Sequence, residues 1–570
     1  MHRAFQAQVL LLDLSFAHLL TGKRNYLERA WRELECWMER WKSWEDPHHA
    51  AGGYDFDLMV SGVGMMFSIA YDWLYRSLTP ERRAAVRHAL GSRVLDLYLR
   101  ETAPGGKQVW WFRGRNVSNW NAVCNGGAIL TALALRGEHP GSTEVIHRAL
   151  DSVRHYFHKL GNEGGSEEGF GYWYYGMIYA VTALAALDRA GMPTRGLLHL
   201  PLFRRTGQFP IDFQPGRAVV GWGDVRNWAT ANNPIMYWLG SRYRMPELAA
   251  WEAARERAKG RATVFSILWG PAANKMPSPD RGKRTVRGRF WREIGWSVFA
   301  DSWSHPRLVA GFKCGDLGAS HTHLDNNSFS IWANGDWLAH DLGPPPMKYY
   351  ANRYFAESRW GWYCVKTVGH NGLLVNGRGQ LPGTKGRLWP LPAARECTGA
   401  VGDASRNYGP TVRRALRHFV VTADSSLVVI LDEVRTRRPS TLEWRLHSPA
   451  PITVRRNQAR VGDQAKSLRV LFPSEGMRLR TLQNPPGCIP GRTVDIPRDN
   501  VLCARVGARS RTHLLPAVIA LGNAGARAEA SFSAQPRILR VLVRTGGKLR
   551  EFRWRPSRTG WIFAGMRRWG

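Results

Sequence analysis

Three histidines and three aspartates fall within one short run, SHTHLDNNSFSIWANGDWLAHDLG, residues 320–343. Imidazole takes up and releases protons near neutral pH, and imidazole nitrogen with carboxylate oxygen is a donor set that suits zinc. In an extended strand, residues two apart face one side. His321 and His323 are therefore expected to point into one site. Asn334-Gly335 is a type I′ hairpin signal, so the following strand folds back and carries Asp341 towards the histidines. Val368-Gly369-His370-Asn371-Gly372 opens a further strand. His323, Asp341 and His370 would then give two imidazoles and one carboxylate. The competing reading is a group of hydrogen-bonded histidines at strand ends.

The elements that must position these residues divide the chain in two. Over residues 1–255 apolar side chains recur at three and four, as in YLERAWRELECWMERW and DLMVSGVGMMFSIAYDWLY, which predicts successive helical hairpins. Thr79-Pro80-Glu81 is a helix start. Residues 256–286, rich in Pro, Gly and basic side chains, read as a linker. From 287 to 570 short β-branched runs bounded by turns predict antiparallel sheets.

Composition narrows the partners. The 570 residues carry 80 Lys and Arg against 45 Asp and Glu, a formal net charge of +35, which favours polyanionic partners. Acidic polysaccharide, anionic membrane and nucleic acid all qualify, and a bias spread along the chain is the competing explanation. Nucleic acid is disfavoured, because no helix-turn-helix, finger spacing or RNP-like strand is present. The seven cysteines are dispersed and include no CxxC pair, which disfavours a disulfide scaffold or Cys-rich zinc site. No apolar stretch is long enough for a transmembrane segment. The first twenty residues lack a signal-peptide pattern and read as an amphipathic helix already under way.

Taken in order, HTHLDNNSFSIWANGDWLAHDLG, GHNGLLVNGRGQ, and in the helical half NVSNWNAVCNGG (116–127) and EGGSEEGFGYWYYG (163–176), resemble the heparinase II/III-like polysaccharide lyases. The resemblance implies an incomplete α/α toroid followed by an antiparallel β-sandwich domain, with the active site in the cleft between them. It implies cleavage of a uronic-acid polysaccharide by β-elimination. It matches Asn119 to the amide that faces the substrate carboxylate, Tyr172 to the catalytic phenol and His321 to the catalytic histidine. His323, Asp341 and His370 match the ligands of a structural zinc. Several such lyases carry a His directly after the amide, where this chain has Trp120. Substrate contacts are then expected from Trp120, Asn121, Tyr175 and Arg115. The family meets its substrates outside the cytoplasm, so a periplasmic or extracellular location is the expectation.

Other readings stay open. Asn119 and Asn121 could cap the helix that follows. The aromatic run at 172–175 could be core or a sugar platform. Glu167 or Glu168 with Asp224 could serve a glycoside hydrolase. A non-catalytic protein that binds anionic glycans is the third possibility.

Overall fold

The computed structural model describes residues 2–41, 43–46, 53, 55–105, 109–113, 117–225, 232–270, 285–345, 354–355, 357–392, 394–463, 466–474, 476–484, 487–489, 492–494, 499–506, 509–522 and 528–569. It forms two compact units. The first comprises Met1–Ser166, Gly171–Gln208 and Ala231–Ser278; the second comprises Glu167–Phe170, Phe209–Thr230 and Pro279–Gly570. The sequence-based boundary thus differs in two places. Two short segments from the helical half, 167–170 and 209–230, belong with the sheets, and helices reach into the expected linker as Pro246–Lys259 and Val264–Trp269. The rest of that linker, 271–284, lies outside the described residues.

The first unit is helical. Asp57 caps Leu58–Leu74, its carboxylate accepting from the Met59 and Val60 amides at 2.8 and 2.9 Å. Pro80 opens Pro80–Leu90 behind the Thr79 cap, as the sequence predicts. Helix Asn119–Ala134 packs closely on its neighbours at Gly126 and Gly127. A Cβ on Gly127 would lie 2.1 Å from Ser61 Oγ, and one on Gly126 would lie 2.7 Å from the Tyr179 backbone. Those two glycines of the NGG triplet are packing residues.

The second unit is built of antiparallel sheets. Its first sheet runs β1 (Arg287–Trp291), β2 (Trp296–Ala300), β3 (Leu308–Lys313), β4 (Ser328–Ala333) and β5 (Asp336–Ala339) in sequential order. The β4–β5 turn is the expected hairpin, with Asn334 and Gly335 at positive φ and Ala333 paired with Asp336. An eight-stranded sheet follows, centred on Val412–Thr422, Leu427–Ser440 and Ser510–Leu521. One face shares a core with the first sheet through Phe299, Phe312, Phe329 and Phe419. The other packs on a last four-stranded sheet through Val420, Val429, Val541, Phe552 and Trp554. Burial on both faces explains the unbroken apolar run Leu427–Leu431, every residue of which is buried. The expected layered antiparallel architecture is the one observed.

Within the second of these layers lies His418, buried against Trp554, with no hydrogen-bond partner on either ring nitrogen. Burial pushes its pKa down to about 4. Unfolding restores the ordinary value of about 6.5, so the unfolded chain binds a proton that the folded one refuses. Stability is therefore full above pH 6.5 and falls as pH drops towards 4, by about 3 kcal/mol from this residue. His418→Phe is expected to remove that share of the acid sensitivity, read as the difference in thermal midpoint between pH 7 and pH 4.5.

Candidate active site and metal centre

The segment from β3 to β4 carries the histidine motif. It is a loop rather than the strand expected from the alternation, and β4 starts only at Ser328. The two imidazoles still converge, for a different reason. His321 sits at φ +62°, a left-handed conformation that non-glycine residues rarely adopt. Its carbonyl accepts from the Asp224 amide at 3.0 Å, and the next carbonyl, Thr322, accepts from Arg359 Nη2 at 2.7 Å. Gly223 makes the first contact possible: its φ is +70°, and a Cβ there would lie 2.3 Å from the His321 carbonyl oxygen.

Segment 209–225 reaches this loop because aromatic packing anchors it on the first sheet. Phe209 contacts Trp291 edge-on at 5.0 Å, Phe213 and Trp222 pack on Trp296 at 5.5 and 5.1 Å, and Trp291 Nε1 donates to Asp212 at 3.0 Å. At the end of the segment Asp224 is fully buried. Its Oδ2 accepts from His321 Nδ1 at 2.8 Å and Arg359 Nη1 at 3.3 Å; its Oδ1 accepts from His323 Nε2 at 3.0 Å and Tyr354 Oη at 2.5 Å. Burial alone would raise this carboxyl, but the Arg359 guanidinium and the two histidine bonds outweigh it and hold the group well below its ordinary value. An ionised Asp224 fixes His321 with its proton on Nδ1, which makes Nε2 the basic atom. Glu168 Oε1 lies 3.7 Å from that Nε2. The Phe355 ring, half exposed, meets the His321 ring edge-on at 5.1 Å.

His323, Asp341 and His370 come together as expected. One donor atom from each lies within 4.8 Å of the others. His370 Nδ1 donates to Asp341 Oδ2 at 2.8 Å, while Asp341 Oδ1 accepts from the Gly343 amide at 3.0 Å. His323 Nδ1 and His370 Nε2 are buried without a hydrogen-bond partner. Orphaned buried ring nitrogens are rare, and here two of them belong to a set that a metal ion fits. Burial lowers the pKa of His323, which favours the neutral form in which imidazole ligates; at His370 burial acts the same way but the Asp341 carboxylate outweighs it and raises the pKa. The cavity beside this set, of about 500 Å³, is lined by Val225, Ser330, Trp337, His340, Asp341 and Gly343 among others.

Neighbouring motif residues build the frame. Asn371, next to His370, donates to the Phe329 and His340 carbonyls at 2.8 and 3.0 Å and accepts from the His447 amide at 2.6 Å, clamping three segments. Gln380 of GRGQ exchanges two hydrogen bonds with the Asn326 backbone, at 2.9 and 2.7 Å. Asp325 accepts from the buried Lys313 ammonium at 2.5 Å.

In the helical unit, Ser118 is the cap of Asn119–Ala134, its Oγ accepting from the Trp120 amide at 3.3 Å, so neither Asn119 nor Asn121 serves as the cap. Asn119 is the first residue of that helix and is buried. Trp120 packs on the exposed Trp110 at 5.1 Å. Asn121, expected at the substrate, is fully buried, and its amide nitrogen donates to the Trp111 and Phe112 carbonyls and to Ser152 Oγ. It holds the loop preceding the helix. Tyr172 is half-buried on Phe170–Arg189; Trp173 on the same helix is core, donating to Thr206 at 2.7 Å. Tyr175 packs against Tyr179 at 5.6 Å, and burial raises its phenol well above the ordinary value. Arg115 lies outside the described residues.

Asp224 entered the sequence reading only as a hydrolase carboxylate, and Arg359 and Tyr354 did not enter it. Their separation from the histidines along the chain hides the cluster; GWGD, with a glycine before the acid, is the one local sign.

A helical unit of the toroid type followed by layered antiparallel sheets, with a buried carboxylate gripping two histidines, defines an α/α-toroid and β-sandwich protein. Within its β domain, residues 283–513 match the model of the heparinase II/III-like, C-terminal family. No curated protein matches the chain by sequence. In fold the chain is similar to heparinase III, with a TM-score of 0.68 at 14% identity over 96% of this chain and 82% of that one. It is also similar to the heparan sulfate lyase HepC from Pedobacter heparinus, with a TM-score of 0.60 at 11% identity over 97% and 80%. The chondroitin AC lyase of Streptomyces coelicolor A3 gives 0.50 at 13% identity over 98% and 85%. At these identities the likeness is one of fold.

Proposed function

We propose that the protein is a polysaccharide lyase that cleaves a uronic-acid-containing anionic glycan by β-elimination, with a structural zinc at His323, Asp341 and His370. The observation that carries this reading is His321, turned out of regular backbone and held in one tautomer by an ionised, buried Asp224. The fold likeness to lyases that act on such polymers supports it.

The chemistry assigns the roles. Abstraction of the C5 proton places negative charge on the uronate carboxylate, and that charge must be neutralised as it develops. The C5–H electrons form the C4–C5 double bond while the C4–O4 bond breaks and O4 takes a proton. In this reading His321 Nε2 receives the C5 proton, the Tyr172 phenol supplies the proton to O4, and the Asn119 amide donates to the carboxylate. The reading requires Asn119 and Tyr172 to meet the same sugar as His321. Trp120, in place of a family histidine, offers a ring face to a sugar instead of a second donor, with Arg115 and Tyr175 as further contacts. The basic chain draws an anionic polymer towards it. A periplasmic or extracellular location, where such polymers are met, goes with this reading.

Glycoside hydrolysis fits less well. Its second carboxylate must meet the sugar or the attacking water, whereas Asp224 is fully buried with both oxygens taken by four donors. The deciding experiment incubates the full chain with heparan sulfate, alginate and hyaluronan and follows ultraviolet absorbance of the unsaturated product. New reducing ends without that absorbance would replace the lyase reading with the hydrolase one.

When bound, zinc would supply a fixed tie between the loop that carries His323 and those that carry Asp341 and His370. Chelator-stripped protein is expected to take up one zinc per chain and to melt at a higher temperature with it. His370→Ala is expected to abolish both effects, measured by metal analysis and thermal unfolding.

A further inference from the structure

The last sheet of the chain lies beyond the matched family domain and plays no part in the chemistry above. Its strands, Glu529–Gln535, Ile538–Thr545, Lys548–Ser557 and Gly560–Trp569, pair antiparallel in sequential order. Residues 528–569 carry ten Lys and Arg against two Glu, where the whole chain carries 80 against 45. The basic side chains are therefore concentrated here beyond the general bias.

Alternation along the strands sorts them by face. Leu539, Val541, Val543, Phe552 and Trp554 point into the core shared with the eight-stranded sheet. The opposite face carries Arg540 and Arg544 on one strand, Arg553 and Arg555 on the next, and Arg567 and Trp569 on the last. Arg540 stands directly opposite Arg553 across the strand pair, an arrangement that disfavours folding unless countercharge is supplied. Both share one carboxylate, Glu551, at 3.3 and 3.8 Å. Arg544, Arg555 and Arg567 are exposed; Glu529 stands opposite Arg544 and Glu551 opposite Arg567, but no carboxylate among the described residues lies within 4.0 Å of any of the three. Small residues flank them: Gly565 opposite Arg553, and Ser533 opposite Arg540. Trp569, exposed to 45%, stands on the same face at its edge.

We infer that this face is a second, non-catalytic binding surface for an anionic polysaccharide chain, the polymer class of the proposed substrate; the inference rests on that reading for the identity of the polymer. The charge excess matches the chain's carboxylates and sulfates, which guanidinium groups bind through paired hydrogen bonds. The open Trp ring suits the apolar face of a sugar. A fixed row of arginines along a strand and across its neighbours fits an extended polymer better than a single small anion.

The test uses the full chain with Arg544→Glu, Arg555→Glu and Arg567→Glu combined, in wild-type and His321→Ala backgrounds. Binding to immobilised heparan sulfate and alginate is measured across a salt series. The combined variant is expected to bind at least tenfold more weakly and with a shallower salt dependence in both backgrounds, at unchanged thermal midpoint. Trp569→Ala is expected to weaken binding severalfold without altering the salt slope. Unchanged binding in the combined variant overturns the inference. An equal loss of binding to duplex DNA, or to phosphatidylglycerol vesicles, also overturns it, by making the face a general polyanion or membrane surface. The assay needs no turnover. Loss of binding without lyase activity counts against the proposed chemistry alone, and lyase activity with unchanged binding counts against this surface alone.

Discussion

His321→Ala is expected to lower kcat/KM on the cleaved polysaccharide by roughly 10²–10⁴, the range a positioned proton-transfer group contributes, or about 3–5 kcal/mol of transition-state stabilisation. The substitution removes the one imidazole that combines an Asp224 bond on Nδ1 with a basic Nε2. It leaves Asp224 with its bonds from His323, Tyr354 and Arg359, so the fold has three of its four ties at this point. The thermal midpoint should move little, and substrate binding should persist. Asp224→Asn tests the same idea from the other side. The asparagine can present its NH₂ to Nδ1, which favours the tautomer with the proton on Nε2, and activity should fall while His321 itself remains in place. A variant that keeps most of its activity with His321 removed would show that the base lies elsewhere.

How much of this was legible in the sequence depends on distance along the chain. The donor atoms of His323, Asp341 and His370 lie together, and for Asp341 the reason is legible in the sequence: a two-residue turn fixes how the β4–β5 hairpin folds back, and turn chemistry is local. The alternating pattern of SHTH suggests a strand, yet the residues form a loop, whose backbone is satisfied by the Asp224 amide on the His321 carbonyl, by Arg359 on the Thr322 carbonyl and by the Leu324 amide on the Val365 carbonyl instead of a ladder. Tertiary contacts overrode the local pattern. Asp224 lies 97 residues before His321. Nothing local announces that Phe209, Phe213 and Trp222 will dock a helical-half segment on the sheet, since aromatic side chains in that region read equally well as helix core. The NGG triplet illustrates the opposite error: within a motif associated with chemistry, two glycines are there for close helix packing.

The largest stability effect is expected at Arg417, far in sequence from every site residue. Its side chain is fully buried. It grips Asp432 with two hydrogen bonds of 2.7 and 2.8 Å, and its remaining nitrogen donates to the Asn327 and Asn371 carbonyls at 2.6 and 2.8 Å. Asn327 ends the loop that carries His321 and His323, and Asn371 follows His370. One guanidinium therefore ties together the two chain segments that supply the imidazoles of the metal set. Arg417→Met strands a buried carboxylate and two carbonyls, which costs about 3–5 kcal/mol. Adding Asp432→Leu removes the stranded charge, and the double variant should recover most of the lost stability, because a buried ion pair replaced by apolar side chains is often neutral. It cannot restore the two carbonyl bonds. The double variant is accordingly expected to melt near the wild-type temperature while binding zinc more weakly, by tenfold or more, the usual effect of losing support around a ligand. Thermal unfolding and competitive zinc titration on the single and double variants separate the two roles. Wild-type zinc affinity in a stable double variant would mean that Arg417 serves the fold alone.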